Sequence, residues 1–356
     1  MLLILRIELL SKTTKNYKKQ AFVMETRNEI ELIKMIAAPW ISQSIYAVVK
    51  LGVIDLLADA TDYQALAQKV NANPEVLYRL LKGLVSVGIV SEIRLGTFVL
   101  TELGSLLLSG AAGRLSSLAL LWGEEFYQAW GNLLETVQTG NTAFDRVYNT
   151  SFFQYLHSKP EVARTFNDTM MGLTAFLYPK VPTTYDFSSC KRVVDVGGGC
   201  GALIGLILAA NPSLKGVLFD QPDIVTQANT VLSTYGVLDR CDIVGGDFFE
   251  TVPAGSDTYV LSNIIHDWDN DRALSILNNC RRAIDEQGRL LLVEMVLSNE
   301  QEPTLARMTD LNMLVLTGGR ERTQEEFTSL LSSSGFALKR FLPVEQLICI
   351  VEAVPN

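Results

Sequence analysis

The stretch "RVVDVGGGCGALIGLILAANP", from Arg192 to Pro212, constrains this chain more than any other. A short apolar run carrying one acid ends in Gly197, Gly199 and Gly201, and a second apolar run of helical length follows at once. Strand, glycine turn and helix in that order open a βαβ unit, where bare backbone approaches a ligand and the helix N-terminus offers amides to an anion. With Ala202 the turn also fits G-x-G-x-x-A, so on its own it suits a pyrophosphate or an amino-acid carboxylate equally.

The chain beyond the turn fixes the fold class. Strand-like runs "KGVLFD", "CDIVGG", "TYVLSN" and "GRLLLVEMVL" alternate with helix-like stretches over 202–210, 223–234 and 270–285. That alternation predicts a parallel sheet with right-handed crossovers. The last two runs, "FALKRFLPV" and "EQLICIVEAV", succeed one another as a hairpin, so an antiparallel strand should close the sheet. The expectation is an α/β, Rossmann-like domain over 187–356, with seven mostly parallel strands and an antiparallel C-terminal strand.

At 356 residues the chain has room for more than one domain. Over 24–115 the pattern is helical. "DYQALAQKV" is one short helix, and "PEVLYRLLKGLVSVG" is a second with Asn73 as N-cap and Pro74 at its first position. "IVSEIRLGTFVLT" then reads as a two-stranded ribbon, which completes a winged-helix pattern. The helix that would enter a DNA groove carries only Arg79 and Lys82 as cations and a broad apolar face, and the formal charge is −9. Nucleic-acid binding needs a basic surface, so this domain reads as a dimerisation module. Residues 116–186 form a helical, aromatic-rich segment. Residues 1–23, apolar and then basic, read as a disordered tail or an upstream-start artefact. Five scattered cysteines without a CxxC pair suit a reducing cytoplasm, and no apolar run reaches the ~18 residues that span a bilayer.

Three acids near the turn bear on the ligand. Asp195, two residues before Gly197, should present a carboxylate to an ammonium or sulfonium while repelling a pyrophosphate. Asp220, ending "VLFD", stands where a carboxylate accepts bonds from ribose hydroxyls. In "GGDFF", Asp247 is placed for an adenine amino group, with Phe248 or Phe249 to cover the ring. A nicotinamide cofactor would need a hydride-transfer constellation, and the sequence offers none. The ligand expected is S-adenosylmethionine.

Of two histidines, His157 lies in a helical context and reads as a surface residue, whereas His266 ends the fourth strand run in "LSNIIHDWDND". The carboxyl ends of such strands form the ligand crevice. Methyl transfer to a phenol, whose pKa is near ~10, benefits from a base, and a neutral imidazole with its far nitrogen held by an acceptor can serve. Glu294, ending "LLVE", is a candidate for that acceptor along the same sheet edge. Asp267 and Asp269 read as caps of the next helix.

Taken together, "VVDVGGGCG", "FDQPDIV", "GDFF", "IIHDWDND", "LLLVEMVL" and "GGRERTQEEF" resemble, in order and spacing, the class I S-adenosylmethionine-dependent O-methyltransferases of the caffeate and hydroxyindole type. The resemblance implies a homodimer through the N-terminal domain and cofactor contacts at Gly197, Gly199, Asp220, Asp247 and Phe248. It adds Glu321 as a second carboxylate beside His266, and Met170 and Met313 against the substrate ring. Phe153 and Phe166 are weaker wall candidates, in "SFFQYL" and "FNDTMMG". No metal is implied. The chain departs from plant members where they often carry Lys, at Ser262, so that contact passes to a carbonyl or to Asn263. The activity implied is methylation of a hydroxyl, phenolic by expectation, on a small aromatic or apolar metabolite. Carboxyl or carbon methylation, a ligand-sensing DNA regulator and an NAD dehydrogenase are the rivals.

Overall fold

The computed structural model describes residues 27–111, 113–298, 305–344 and 348–356, and the tail expected over 1–23 lies outside them. Two compact units divide between Ser105 and Leu106.

In the first unit, α1 (Ala38–Lys50) precedes β1 (Thr61–Asp62), α2 (Tyr63–Lys69), α3 (Pro74–Ser86), β2 (Val90–Arg94) and β3 (Thr97–Leu100). The Asn73 side chain accepts the Val76 amide at 3.1 Å, which caps α3 where the sequence placed the cap. α3 buries Leu77, Leu81 and Leu84 along one face. The ribbon is three-stranded, in the order β1-β3-β2. Lys82, one of the two cations a DNA groove would meet, is tied to Glu92 at 2.6 Å. Apolar side chains ahead of this unit's core stand in solvent, with Ile36 72% and Trp40 76% exposed.

The second unit begins with helices, among them α4 (Leu115–Gly123), α5 (Phe152–Ser158) and α6 (Pro160–Leu177). The sheet domain comes next as β4 (Arg192–Val196), α7 (Ala202–Ala210), β5 (Lys215–Asp220), β6 (Cys241–Gly245), β7 (Thr258–Ser262), α8 (Asn270–Ala283), β8 (Arg289–Glu294), β9 (Val296–Leu297), α9 (Leu305–Leu316), β10 (Arg322–Thr323), α10 (Gln324–Ser333), β11 (Phe336–Pro343) and β12 (Cys349–Pro355). The stretch 223–234 is a 3-10 turn, Ile224–Gln227, running into a short helix, Ala228–Thr234.

Seven strands pair in the order β11-β12-β8-β7-β4-β5-β6, and β4, β5, β6, β7 and β8 run parallel. Continuous burial of Val193, Val194 and Val196 reflects a sheet covered on both faces. β12 is antiparallel to both its neighbours, but it does not close the sheet: it is inserted between β8 and β11. The reason lies in composition. "CIVEAVP" is buried through its centre, while β11 carries exposed Lys339 and Arg340, a charged strand suited to an edge. Strand order reverses between β4 and β7, which places the crevice at the carboxyl ends of those two strands. Among the described residues no single helix is long and apolar enough to cross a membrane; a pair bent by 43°, Arg27–Ile36 with Ala38–Lys50, reaches that length only jointly.

Candidate active site

The turn between β4 and α7 puts Gly197 at φ 70° and Gly199 at φ 59°, a region L side chains rarely enter. A Cβ at Gly197 would strike the Ile264 side chain at 2.4 Å, whereas one at Gly199 would meet nothing within 4 Å. Open space therefore lies over Gly199. Asp220, at the end of β5, accepts the Gly199 amide at 2.8 Å and the Gln221 amide at 2.7 Å, locking the two strand ends together. Burial pushes its carboxyl up and these two amides pull it partly back. Phe248 reaches the same turn, 3.4 Å from where a Gly197 Cβ would stand. An open glycine cradle, a carboxylate at its side and an aromatic ring at its edge fit the amino-acid nucleoside expected from the sequence.

Asp195 is not where the sequence placed it. It shares a face of β4 with Val193, beneath the turn; it is 1% exposed, and a Cβ on Gly198 would meet its carboxyl carbon at 2.6 Å. Among the described residues neither of its oxygens has a hydrogen-bond partner. Burial pushes its pKa up to about 7, and the Ile204 amide nearby offsets only part of that. A carboxylate sealed under the backbone does not face a ligand above it. Asp247 is exposed and spends one oxygen on the Phe249 amide at 2.8 Å, which shapes the turn after β6. Ser262 ends β7 half-buried, and Asn263 after it is left-handed at φ 52°. Burial raises the hydroxyl of Tyr178, and Asn263 and Ser262 beside it act in the opposite sense.

His266 lies in the one-turn helix just after β7. Its Nδ1 is 2.8 Å from Glu321 Oε1 and 3.7 Å from Glu294 Oε2. Both carboxylates are 0% exposed, and each keeps one oxygen without a hydrogen-bond partner among the described residues. Glu294 also accepts the Ile264 and Ile265 amides at 3.1 and 2.9 Å, so it anchors the backbone that carries the histidine. Read from residues alone, Glu321 is a surface acid in "GGRERT". The fold buries it because the whole motif grips the histidine loop. A Cβ on Gly319 would lie 2.1 Å from the His266 carbonyl oxygen, and the Arg320 amide donates to that oxygen at 2.8 Å. Arg322, 1% exposed, donates to the carbonyls of Ile265 and Trp268 at 2.8 and 2.9 Å.

Burial pulls the imidazole down, but the charges of Glu321 and Glu294 and the Glu321 hydrogen bond outweigh it and leave His266 raised to about 10. Glu294 is pushed up to about 7 by burial, with His266 opposing. The donor atoms of this trio lie within 4.8 Å of one another, a spacing a cation also accepts. The 2.8 Å contact is hydrogen-bond length, however, and tighter than the ~3.3 Å between ligands around a tetrahedral ion with ~2.0 Å bonds.

Asp269 caps α8, accepting the Arg272 amide at 2.8 Å, as read from sequence. Asp267 is no cap. It lies 3.9 Å from Nε2 of His266, and burial pushes it up to about 6. Phe153 stacks on Trp268 at 5.2 Å, and Trp268 meets Phe249 edge-on at 4.8 Å, so a wall candidate and the histidine loop form one aromatic row. Phe166 instead packs edge-on against Phe152 at 5.2 Å, in the core of the helical segment. Met313 is 8% exposed on α9, next to Asn312, which accepts the Trp130 indole N–H at 2.9 Å; Met170 is half-buried on α6. His157 sits at the surface, 3.4 Å from Asp223. Trp268, Asp267 and Arg322 were missed as site residues, although "HDWD" and "GRER" already marked their neighbours.

Residues 130–337 match the O-methyltransferase domain family, and residues 33–110 match the O-methyltransferase dimerisation domain. The chain is 46% identical over 325 residues to a phenazine O-methyltransferase, PhzM, of Lysobacter antibioticus, covering 91% of this chain and 95% of that protein. It is 38% identical over 321 residues to 3-amino-4-hydroxybenzoate 4-O-methyltransferase of Streptomyces cremeus, covering 88% and 87%. Among solved structures it resembles the O-methyltransferase NcsB1 of neocarzinostatin biosynthesis, in complex with S-adenosylmethionine and 2-hydroxy-5-methyl naphthoic acid. There the TM-score is 0.79 at 30% identity, covering 90% of this chain and 96% of that one.

Proposed function

The chain belongs to the O-methyltransferase family, and from that premise we propose that His266 is the base for methylation of a phenolic hydroxyl on a fused-ring aromatic, of the phenazine or naphthol kind. S-Adenosylmethionine is the cofactor of this family, and when bound it supplies a methyl group on a positively charged sulfur. The other roles fall to the chain's own residues. Nε2 of His266 takes the phenol proton while Glu321 holds the Nδ1 proton and stabilises the imidazolium. Glu294 fixes the loop and adds a second negative charge near the ring. Gly197, Gly199, Asp220, Asp247 and Phe248 hold the cofactor, with Ser262 at the end of β7. Phe153 on Trp268, with Met170 and Met313, walls the acceptor and keeps water out. Phe166 supports that wall from behind.

One observation carries this reading: the 2.8 Å Nδ1···Glu321 contact, buried at the sheet edge beside the open glycine turn. Mass spectrometry of products from a panel of hydroxyphenazines, hydroxynaphthoates and aminohydroxybenzoates with S-adenosylmethionine tests it. We expect products heavier by one methylene on the fused-ring phenols; if every phenol is returned unchanged while a carboxylate or a carbon is methylated, the assignment is wrong.

The same reading includes a cytoplasmic homodimer. A dimerisation domain with Ile36 and Trp40 in solvent is a face that a second copy would cover. Trp40→Glu should turn a dimer into a monomer in sedimentation.

A further inference from the structure

With Asp195 sealed under the backbone, the charged end of the cofactor needs other partners, and we propose that Arg114 and Asp168 receive it, Arg114 at the carboxylate and Asp168 at the ammonium. The proposal rests on the reading that S-adenosylmethionine occupies the glycine turn.

The placement begins with α6, which packs against both α4 and α7, the helix that starts at the glycine turn. Asp168 lies on α6, and its side chain is ion-paired to Arg114. The segment before α4 is seated on α6 by a bare glycine: a Cβ on Gly172 would strike the Gly113 carbonyl oxygen at 2.3 Å and the Arg114 Cβ at 2.8 Å. Arg114 itself is left-handed at φ 47°, a conformation an arginine adopts only when its surroundings hold it. Both charges are felt electrostatically at the turn. The Cys200 thiol, between Gly199 and Gly201, is pushed up to about 11 by burial first, then by Asp220 and Asp168, with Arg114 opposing.

Asp220 is a poor alternative for the ammonium, because each of its oxygens already accepts one backbone amide and the acceptor sites left are those the ribose hydroxyls would take. Arg114 and Asp168 are partly exposed and, among the described residues, hold each other. A zwitterion inserted between them exchanges one ion pair for two, keeps every charge matched and gives the guanidinium a carboxylate to grip with two N–H groups.

Calorimetry on the full chain tests this with two probes. S-Adenosylhomocysteine carries the amino-acid end, and 5′-methylthioadenosine has the same nucleoside thioether without it. Arg114→Ala and Asp168→Ala should each weaken S-adenosylhomocysteine by at least about tenfold, the loss of one charge-assisted hydrogen bond, and leave methylthioadenosine within about twofold. Arg114→Lys should recover part of the loss. Unchanged S-adenosylhomocysteine affinity, or equal weakening of both probes, overturns the subsite. If the unaltered protein binds neither probe, it is the cofactor reading that fails.

Discussion

Glu321 Oε1 stands 2.8 Å from Nδ1 of His266, two residues 55 positions apart in the chain, with the carboxylate wholly out of solvent. A negative charge at that distance favours the protonated ring, and together with Glu294 it outweighs the burial that pulls the imidazole down. With a value of about 10 the imidazole matches a phenol of pKa near ~10, so proton transfer between them is close to thermoneutral. The cost is that at neutral pH the free enzyme holds the neutral ring as a small minority. kcat/KM should therefore climb with pH through the alkaline range. Glu321→Gln removes the charge, lowers the ring's pKa and moves the rising limb to lower pH. It also cuts the plateau by about a hundredfold, since the imidazolium loses its partner. A pH–rate profile from 6 to 11 checks both shifts, and an unmoved limb would show that Glu321 does not set the basicity.

His266→Ala removes the base altogether. For an ordinary phenol the rate should fall about 10²–10⁴-fold. An acceptor acidic enough to be ionised at neutral pH, such as a nitrophenol, brings its own anion and should lose far less. Comparing kcat for the two acceptors separates proton removal from a role in holding the ring: equal losses would mean that His266 only packs.

The glycine turn, the strand alternation and the Asn73 cap were legible because each is a local pattern whose geometry follows from adjacent residues. The insertion of β12 between β8 and β11 was not, since a hairpin alone does not say which of its strands pairs with the sheet. Alternation along β4 puts Asp195 opposite Val194 and Val196, but which face carries α7 is decided by the crossover, and that decides whether the acid meets ligand or core. Glu321 looked exposed because "GGRERT" is polar. Its burial depends on Gly319 pressing on the His266 backbone and on Arg322 binding two carbonyls, contacts made across 50 or more residues. Resemblance to a family supplied that assignment; the residues by themselves did not.

Gly319→Ala tests this grip without touching a charge. Its Cβ would sit 2.1 Å from the His266 carbonyl oxygen and 2.4 Å from the Asp267 carbonyl carbon, both backbone atoms that cannot swing aside. Overpacking of this kind costs about 1–3 kcal/mol, and the displaced loop takes Nδ1 out of reach of Glu321. A lower melting temperature together with a fall in kcat of about tenfold or more is expected. A fall in stability with kcat intact would mean that the loop re-forms around the methyl group.

Asp195 gives a stability prediction with a definite sign. Its carboxyl is raised to about 7 in the fold by burial, against an unfolded value near ~3.9. Between those values the folded chain keeps a proton that the unfolded chain has lost, so stability declines as pH rises from about 4 to 7, and above 7 the full penalty of a buried, unpartnered carboxylate is present. Asp195→Asn is nearly isosteric and never charged, so it removes that penalty. At pH 4, where both states still hold much of the proton, the variant should melt close to the parent protein. At pH 8 it should be more stable, by at most the roughly 4 kcal/mol that a shift from ~3.9 to about 7 represents. Thermal melts of both proteins at the two pH values decide it. A variant that is less stable at pH 8 would mean that the carboxylate is paired in solution, and that the turn above it opens wide enough to admit a counter-charge.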